Sequence, residues 1–369
     1  MIGTLTVSDL LAARFQYLAE DWNTTVRTYG ESEVAKIANE QLEDHNAIMQ
    51  NVVGDWGLWT NVPLAMYGTA DYVDMLEGDE LGTFPPQKAQ FGSIVGFPLR
   101  KFGNTWQGSR EYFARATVGE VMAQLITTMD ADRRKIIQQV VTAIFNPTNY
   151  LWADPLVNRI KSAINQLPIR ALVNGDGQPM PPGPNGEIFN ANTHTHYMYS
   201  TGFTNADMVA LKENVLEHYA DADAMICIPR GLEASIRAMS PNFVALLPGM
   251  IVGPITAAQD PGTPLNTIDI NNRLVGEYDG IPVWVKPWMP ANYAMCGVRN
   301  HKVVGIRMDP ASPSGGQLVL AYKDEVYPLR AEVMFREFGV GVWERIGAAV
   351  MLTNTVSGIY SAPTTQILY

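Results

Sequence analysis

The sequence predicts an α+β fold, and three features carry that prediction. An apolar stripe runs from Val118 to Ile144 behind a T-x-x-E capping box. Alternation of apolar and polar residues marks a strand from Leu329 through Phe335 that can continue to Val342. Short apolar runs separated by turn residues fill much of the last hundred positions.

Composition bounds the protein class. The chain has 369 residues, 47% of them hydrophobic, enough to bury a sizeable core. Lys plus Arg number 26 against 37 Asp plus Glu, so the net charge is 26 − 37 = −11, which argues against tight binding of nucleic acid. Charged residues are 17%, below the roughly 25% of an ordinary globular chain, while 8 Trp, 15 Tyr and 17 Met are present. That balance gives weight to a surface covered by partner subunits. No run of about 18 apolar residues occurs, and MIGTLTVSDLLAARFQYLAED lacks a basic segment ahead of an apolar one, so neither a membrane span nor a secretory signal is read. Cys227 and Cys296 sit in the apolar runs AMICIP and YAMCGV, which suits buried thiols in a reducing compartment.

The elements follow in order. Leu11, Phe15, Leu18, Trp22, Val26 and Tyr29 form a helical stripe behind a cap at Ser8, and Gly30 interrupts it. Val34, Ala38, Leu42, His45, Met49 and Val52 form a second, so the N-terminal segment reads as two amphipathic helices that need something to lie against. Residues 76–116 are rich in Gly and Pro, with strand-like runs at Ile94–Leu99 and Glu111–Ala114, and read as a long two-stranded ribbon. A ribbon is marginal in water, so it must dock onto a neighbour or onto its own body. Thr117 and Glu120 then cap a helix from Val118 to Phe145, roughly 40 Å long. Its charged stretch, Asp130, Asp132, Arg133, Arg134 and Lys135, reads as a solvated face.

Residues 174–200 are polar and loop-like, with turn signals at Asp176-Gly177 and Asn185-Gly186. Thr204 and Asp207 open a helix through about Tyr219. A buried strand at Ala224–Ile228, Pro229 and a short helix at Gly231–Met239 follow. Strands are expected at Arg273–Tyr278, Ile281–Lys286, Ala294–Val298 and Val303–Met308, the first two joined at Asp279-Gly280. Gly339 and Gly341 interrupt the last long strand, where glycine marks a bend or a close approach of backbone.

No phosphate-binding, dinucleotide or hydrolase motif is present. His194 and His196 are the best metal candidates, because alternate strand residues share a face. A hydrolytic site needs a third ligand and a carboxylate, neither of which stands at a diagnostic spacing, so the segment reads as an ordinary loop. Asp221 and Asp223 lack the other ligands of a calcium loop, and Glu77 and Asp79 read as solvated. Arg100, Lys101, Phe102, Trp106, Arg110, Tyr112, Phe113 and Arg115 interleave basic and aromatic side chains. In an acidic protein such a ribbon suits clamping an identical copy better than holding nucleic acid.

Four segments, GFPLRKFGNTW with REYFARATVGEV, ADAMICIPRGLEASI, VGEYDGIPVWVKPWMPANYAMCGV and VMFREFGVGVWERIGAAVML, resemble in order and spacing the major capsid proteins of tailed bacteriophages, the Hong Kong 97 fold. NGDGQPMPPGPNGEIFNANTHTHYM is similar to a loop insertion of some members. The resemblance implies an N-terminal helical arm at 1–75 and an extended β-ribbon loop at 76–116. It implies a peripheral domain with long antiparallel strands at 117–200 and 327–369, containing a spine helix at 117–146 and an insertion loop at 174–200. An axial α/β domain would occupy 201–326. It further implies a virion shell protein, assembled in the host cytoplasm into hexamers and pentamers around double-stranded DNA that it contacts weakly. Portal, scaffolding and decoration proteins are the implied partners, with no membrane.

No catalytic, cofactor or metal residue is expected on this reading. The subunit-interface candidates are Phe15, Trp22, Arg100, Lys101, Phe102, Trp106, Arg110, Tyr112 and Phe113. Lys88 and Lys101 match no crosslinking motif, so no covalent crosslink is expected, and the short arm suggests a separate scaffold or none. The alternatives are an encapsulin-type nanocompartment shell and, more distantly, a metal-dependent hydrolase using His194 and His196.

Overall fold

The structure, a computed structural model, describes residues 22–50, 56–69, 91–154, 166–219, 222–245, 273–299, 301–326, 329–356 and 358–364, with residues 75, 77, 82 and 84. Thr25 caps α1 (Val26–Tyr29), and Gly30, at φ 110°, separates it from α2 (Glu31–Met49). The interruption is the one expected. Leu11, Phe15, Leu18 and Val52 of the two stripes lie outside the described residues, as does the cap at Ser8. Strands β1 (Gly57–Thr60), β2 (Leu64–Thr69), β3 (Phe91–Gly96) and β4 (Arg100–Ser109) follow.

The ribbon expectation needs correction at its end. Glu111–Ala114 is not a strand but part of α3 (Arg110–Arg115), because the Ser109 side chain accepts from Tyr112 N and closes the first turn. Nor do β3 and β4 pair with each other. Antiparallel β2 and β3 pair with Leu64 opposite Gly96, and β4 lies along a strand from the far end of the chain.

The long helix, α4 (Val118–Phe145), has the expected capping box at Thr117 and Glu120 and spans 28 residues. Short strands β5 (Tyr150–Trp152) and β6 (Leu167–Ile169) pair after it, and β7 (Tyr197–Tyr199) ends the polar loop. Next come α5 (Asn205–Leu216), again with a capping box, β8 (Ala224–Ile228), α6 (Glu233–Arg237) and β9 (Phe243–Ala245). The remaining elements are strands: β10 (Arg273–Tyr278), β11 (Ile281–Val285), β12 (Tyr293–Val298), β13 (Val304–Met308), β14 (Val319–Val326), β15 (Leu329–Val342) and β16 (Ala348–Leu352).

Two main sheets result. In one, β15 is the backbone: β4 covers it from Leu329 to Phe338, while β14 and then β13 pair with its other edge, and β1 lies parallel to β13. The other has the order β7-β16-β12-β8-β11-β10-β9. The largest apolar core joins α2 and α4 to the β15 sheet through Leu42, Met122, Met129, Ile136, Ile144, Ile306 and Phe338. A second core packs α5 and α6 against the seven-stranded sheet through Leu211, Ile226, Ile236, Tyr278 and Val283. Cys227 and Cys296 are thiols outside any disulfide, buried on its central strands, and burial pushes the Cys296 thiol up to about 12.

The solvated face expected on α4 also needs correction, because Asp132 is buried. Arg336 of β15 donates to both its carboxylate oxygens, Nε at 2.9 Å and Nη2 at 2.8 Å, and His45 of α2 donates at 2.9 Å. Arg336 also reaches Asn46 and the Gly316 carbonyl. A carboxylate buried on a helix is tolerated only when its charge and lone pairs are met in this way.

Candidate functional site

The expected ribbon residues are largely committed to their own subunit. Phe102 packs on Phe338, ring centroids 5.1 Å apart, and Phe113 is 4% exposed with its ring 4.6 Å from that of Trp106. Arg100 lies over the Trp152 ring at 4.4 Å, and Lys101, itself exposed, over Phe335 at 3.7 Å. Arg110 opens α3, and half-buried Trp22 packs where a Cβ on Gly119 would stand. Tyr112, 45% exposed, is the aromatic of this group that faces out. Phe15 and Lys88 lie outside the described residues.

A surface missed in the sequence lies on the β2–β3 pair. Met66 and Ile94 are cross-strand neighbours and are 57% and 49% exposed. Strand alternation alone does not distinguish an apolar face turned to the core from one turned outward.

The polar loop at 174–200 is pinned at its start. Arg345, 1% exposed, donates to the Ala171 carbonyl (2.8 Å) and to Asp176 (3.0 Å), and Asn149 donates to Asp176 at 2.6 Å. At its end the loop brings His194 and His196 to one point, and His218, in the turn after α5, meets them there. The three Nε2 atoms stand 3.2, 3.0 and 3.1 Å apart, taking His194–His196, His194–His218 and His196–His218 in turn. His196 donates Nδ1–H to the Ala348 carbonyl at 2.7 Å, which leaves its Nε2 bare when the ring is neutral. Phe189 covers the group, its ring centroid 4.3 Å from that of His218.

Burial holds each imidazole below its ordinary pKa: His194 is lowered, His196 lies well below, and His218 is pushed down to about 3, with His194 adding to the effect. Beside them the Glu217 Oε1 atom lies 3.4 Å from His194 Nε2, and burial and the charge of Glu213 raise the pKa of that carboxyl. Sequence reasoning missed His218, and the one signal for it was that three of the five histidines fall within 25 positions. The other tempting carboxylates do not gather: Asp223 pairs with Arg299 at 2.8 Å, Glu77 is exposed, and Asp79 and Asp221 lie outside the described residues.

Among the described residues no helix is long and apolar enough to cross a membrane. No known family pattern matches the sequence. No curated protein matches it either. At the level of architecture the chain has a mixed α+β fold shared with a phage protein. That protein is a solved chain from Mycobacterium phage Patience, with a TM-score of 0.64 and 23% identity over 88% of each chain. Weaker likenesses are to the capsid of a native GTA particle (TM-score 0.47, 11% identity, 83% of this chain and 89% of that one) and to the holo-SrpI encapsulin complex from Synechococcus elongatus (TM-score 0.40, 11% identity, 83% and 88%). The α+β fold class expected from the sequence is thus the one this chain shares with that phage protein.

Proposed function

We propose that this chain is the head protein of a tailed double-stranded DNA phage, forming an icosahedral shell from hexamers and pentamers of itself. The observation that supports the reading most directly is the fold shared with the Patience chain along 88% of both proteins. The exposed Met66–Ile94 pair on a two-stranded ribbon adds to it, since such a ribbon needs a surface to lie on. Self-contact, with no chemistry at all, would then be the function, and Tyr112, Lys101, Met66 and Ile94 are the side chains proposed to meet neighbouring subunits. Within that reading, residues 1–75 act as the arm and 76–116 as the extended loop. Residues 117–200 with 327–369 are assigned to the peripheral domain and 201–326 to the axial domain, the two exchanging strands: β13 and β14 join the β15 sheet, and β7 and β16 join the seven-stranded one.

Negative-stain electron microscopy with light scattering on the chain expressed alone, and then with its gene neighbours, tests the reading. Closed shells or ring-shaped capsomers are expected, and shells recovered from infected cells should contain DNA. A monomer that persists under both conditions overturns it.

A further inference from the structure

We propose that His194, His196 and His218 form a zinc-type metal site that fastens the loop at 174–200 to the end of α5. The inference stands on geometry at one point of the fold and is independent of whether the chain assembles.

The first argument is one of parity. Each Nε2 is either protonated or bare, so among three atoms in mutual contact at least two are alike. Two N–H groups aimed at each other, or two lone pairs, repel at the 3.0–3.2 Å seen here. Hydrogen bonding among the three rings alone therefore always leaves one bad contact. A cation at the centre removes it, because all three nitrogens then present lone pairs to it. His196 is already set for this, with its proton on Nδ1 and held by the Ala348 carbonyl.

The second argument is metric. Zinc–nitrogen bonds of about 2.0–2.1 Å in a tetrahedron space the ligand atoms about 3.3–3.4 Å apart. The three observed spacings fall within a few tenths of an ångström of that value. A triangle of this size puts a cation bonded at that length about 1 Å out of the plane of the nitrogens, with one coordination position open on its far side. Glu217 follows α5 directly before His218, and its carboxylate stands beside His194. Glu213 adds a second carboxylate near the same end of the helix. The neighbouring guanidinium of Arg345 is matched by Asp176.

Access and fixity complete the case. The His194 side chain is 15% exposed and that of Glu217 36%, so an ion can enter from solvent, whereas His196 and His218 are buried and fixed. Imidazole ligands favour zinc over calcium or magnesium. The three ligands come from a polar loop and a helix end, and His196 is tied to β16. A metal here would tie the end of that loop to the end of α5 and to β16.

The test uses the full chain without a histidine tag, stripped with chelator and titrated with zinc or with cobalt(II). Expected are one metal per chain by elemental analysis and the intense visible bands of four-coordinate cobalt. A zinc-dependent rise in thermal midpoint is also expected. His194→Ala, at the partly exposed position, should fold and weaken binding roughly 100-fold, since loss of even an outer-shell partner costs 10–100-fold. His218→Ala should do the same, and His301→Ala should leave binding unchanged. Wild-type chain that takes up less than a tenth of an equivalent overturns the site. So does stoichiometric binding that survives His194→Ala.

Discussion

Arg336 and Asp132 are 204 positions apart in sequence and meet inside the core, where Arg336 is 2% exposed. Burial tends to raise the Asp132 pKa, but the hydrogen bond from His45 and the charge of Arg336 outweigh it, so the carboxyl titrates below its ordinary value. The sign follows: a depressed carboxyl stabilises the fold at pH values above its unfolded pKa of about 3.9 and ceases to do so as pH falls through the folded one. Asp132→Asn leaves Arg336 without a counter-charge and should cost about 3–5 kcal/mol at neutral pH. Urea melts of the variant and the parent should converge as the medium is acidified. A constant gap between them down to pH 3 would show that the Asp132 charge contributes nothing. Gly339 makes a different kind of demand: its missing Cβ leaves room for the carbonyl of Pro98. Gly339→Ala should therefore push β15 away from the Pro98 segment and destabilise the subunit by about 1–3 kcal/mol, the range for overpacking, read as a lower denaturation midpoint. An unchanged midpoint would mean that the two backbones are not held in contact.

At the scale of elements, what could be read in the sequence is what neighbours in sequence decide. The boxes at Thr117–Glu120 and Thr204–Asp207 start helices where expected, and β15 runs the full length suggested by its alternation. Glu111–Ala114 misled because aromatic and small residues fit either state, and the deciding contact, from Ser109, lies just before them. Asp132 misled because charge on a helix is ordinarily solvated, and nothing near it in sequence announces Arg336. The histidine site was half visible for the same reason: His194 and His196 share a face by local geometry, while His218 joins them only through the packing of α5. The β2–β3 ribbon carries the prediction that belongs here. Met66→Asp with Ile94→Asp changes two exposed side chains, so the isolated subunit should keep its secondary structure and its melting midpoint within about 0.5 kcal/mol. Assembly, followed by light scattering, should fail. Normal assembly of the double variant would remove this ribbon from the contacts between subunits.

For the whole molecule, the charge balance bears on what the proposed shell encloses. A net charge of −11 repels duplex DNA, and six of the 26 Lys and Arg side chains are engaged within the subunit. Arg307, Arg336 and Arg345 are buried against Asp154, Asp132 and Asp176, while Arg100, Lys101 and Lys135 lie over Trp152, Phe335 and Phe102. Non-specific DNA binding draws its free energy from counterions released by cations that reach phosphate, so a repelling net charge with cations turned inward means weak binding with little dependence on salt. A shell of this kind confines DNA by its walls and leaves the strands free to slide past it. Duplex DNA titrated with the isolated chain at physiological salt should show no saturable binding tighter than roughly 10⁻⁴ M, the weak end of the non-specific range. A dissociation constant in the micromolar range that weakens steeply between about 50 and 200 mM salt would reveal a cationic face, and the wall would then grip the DNA it surrounds.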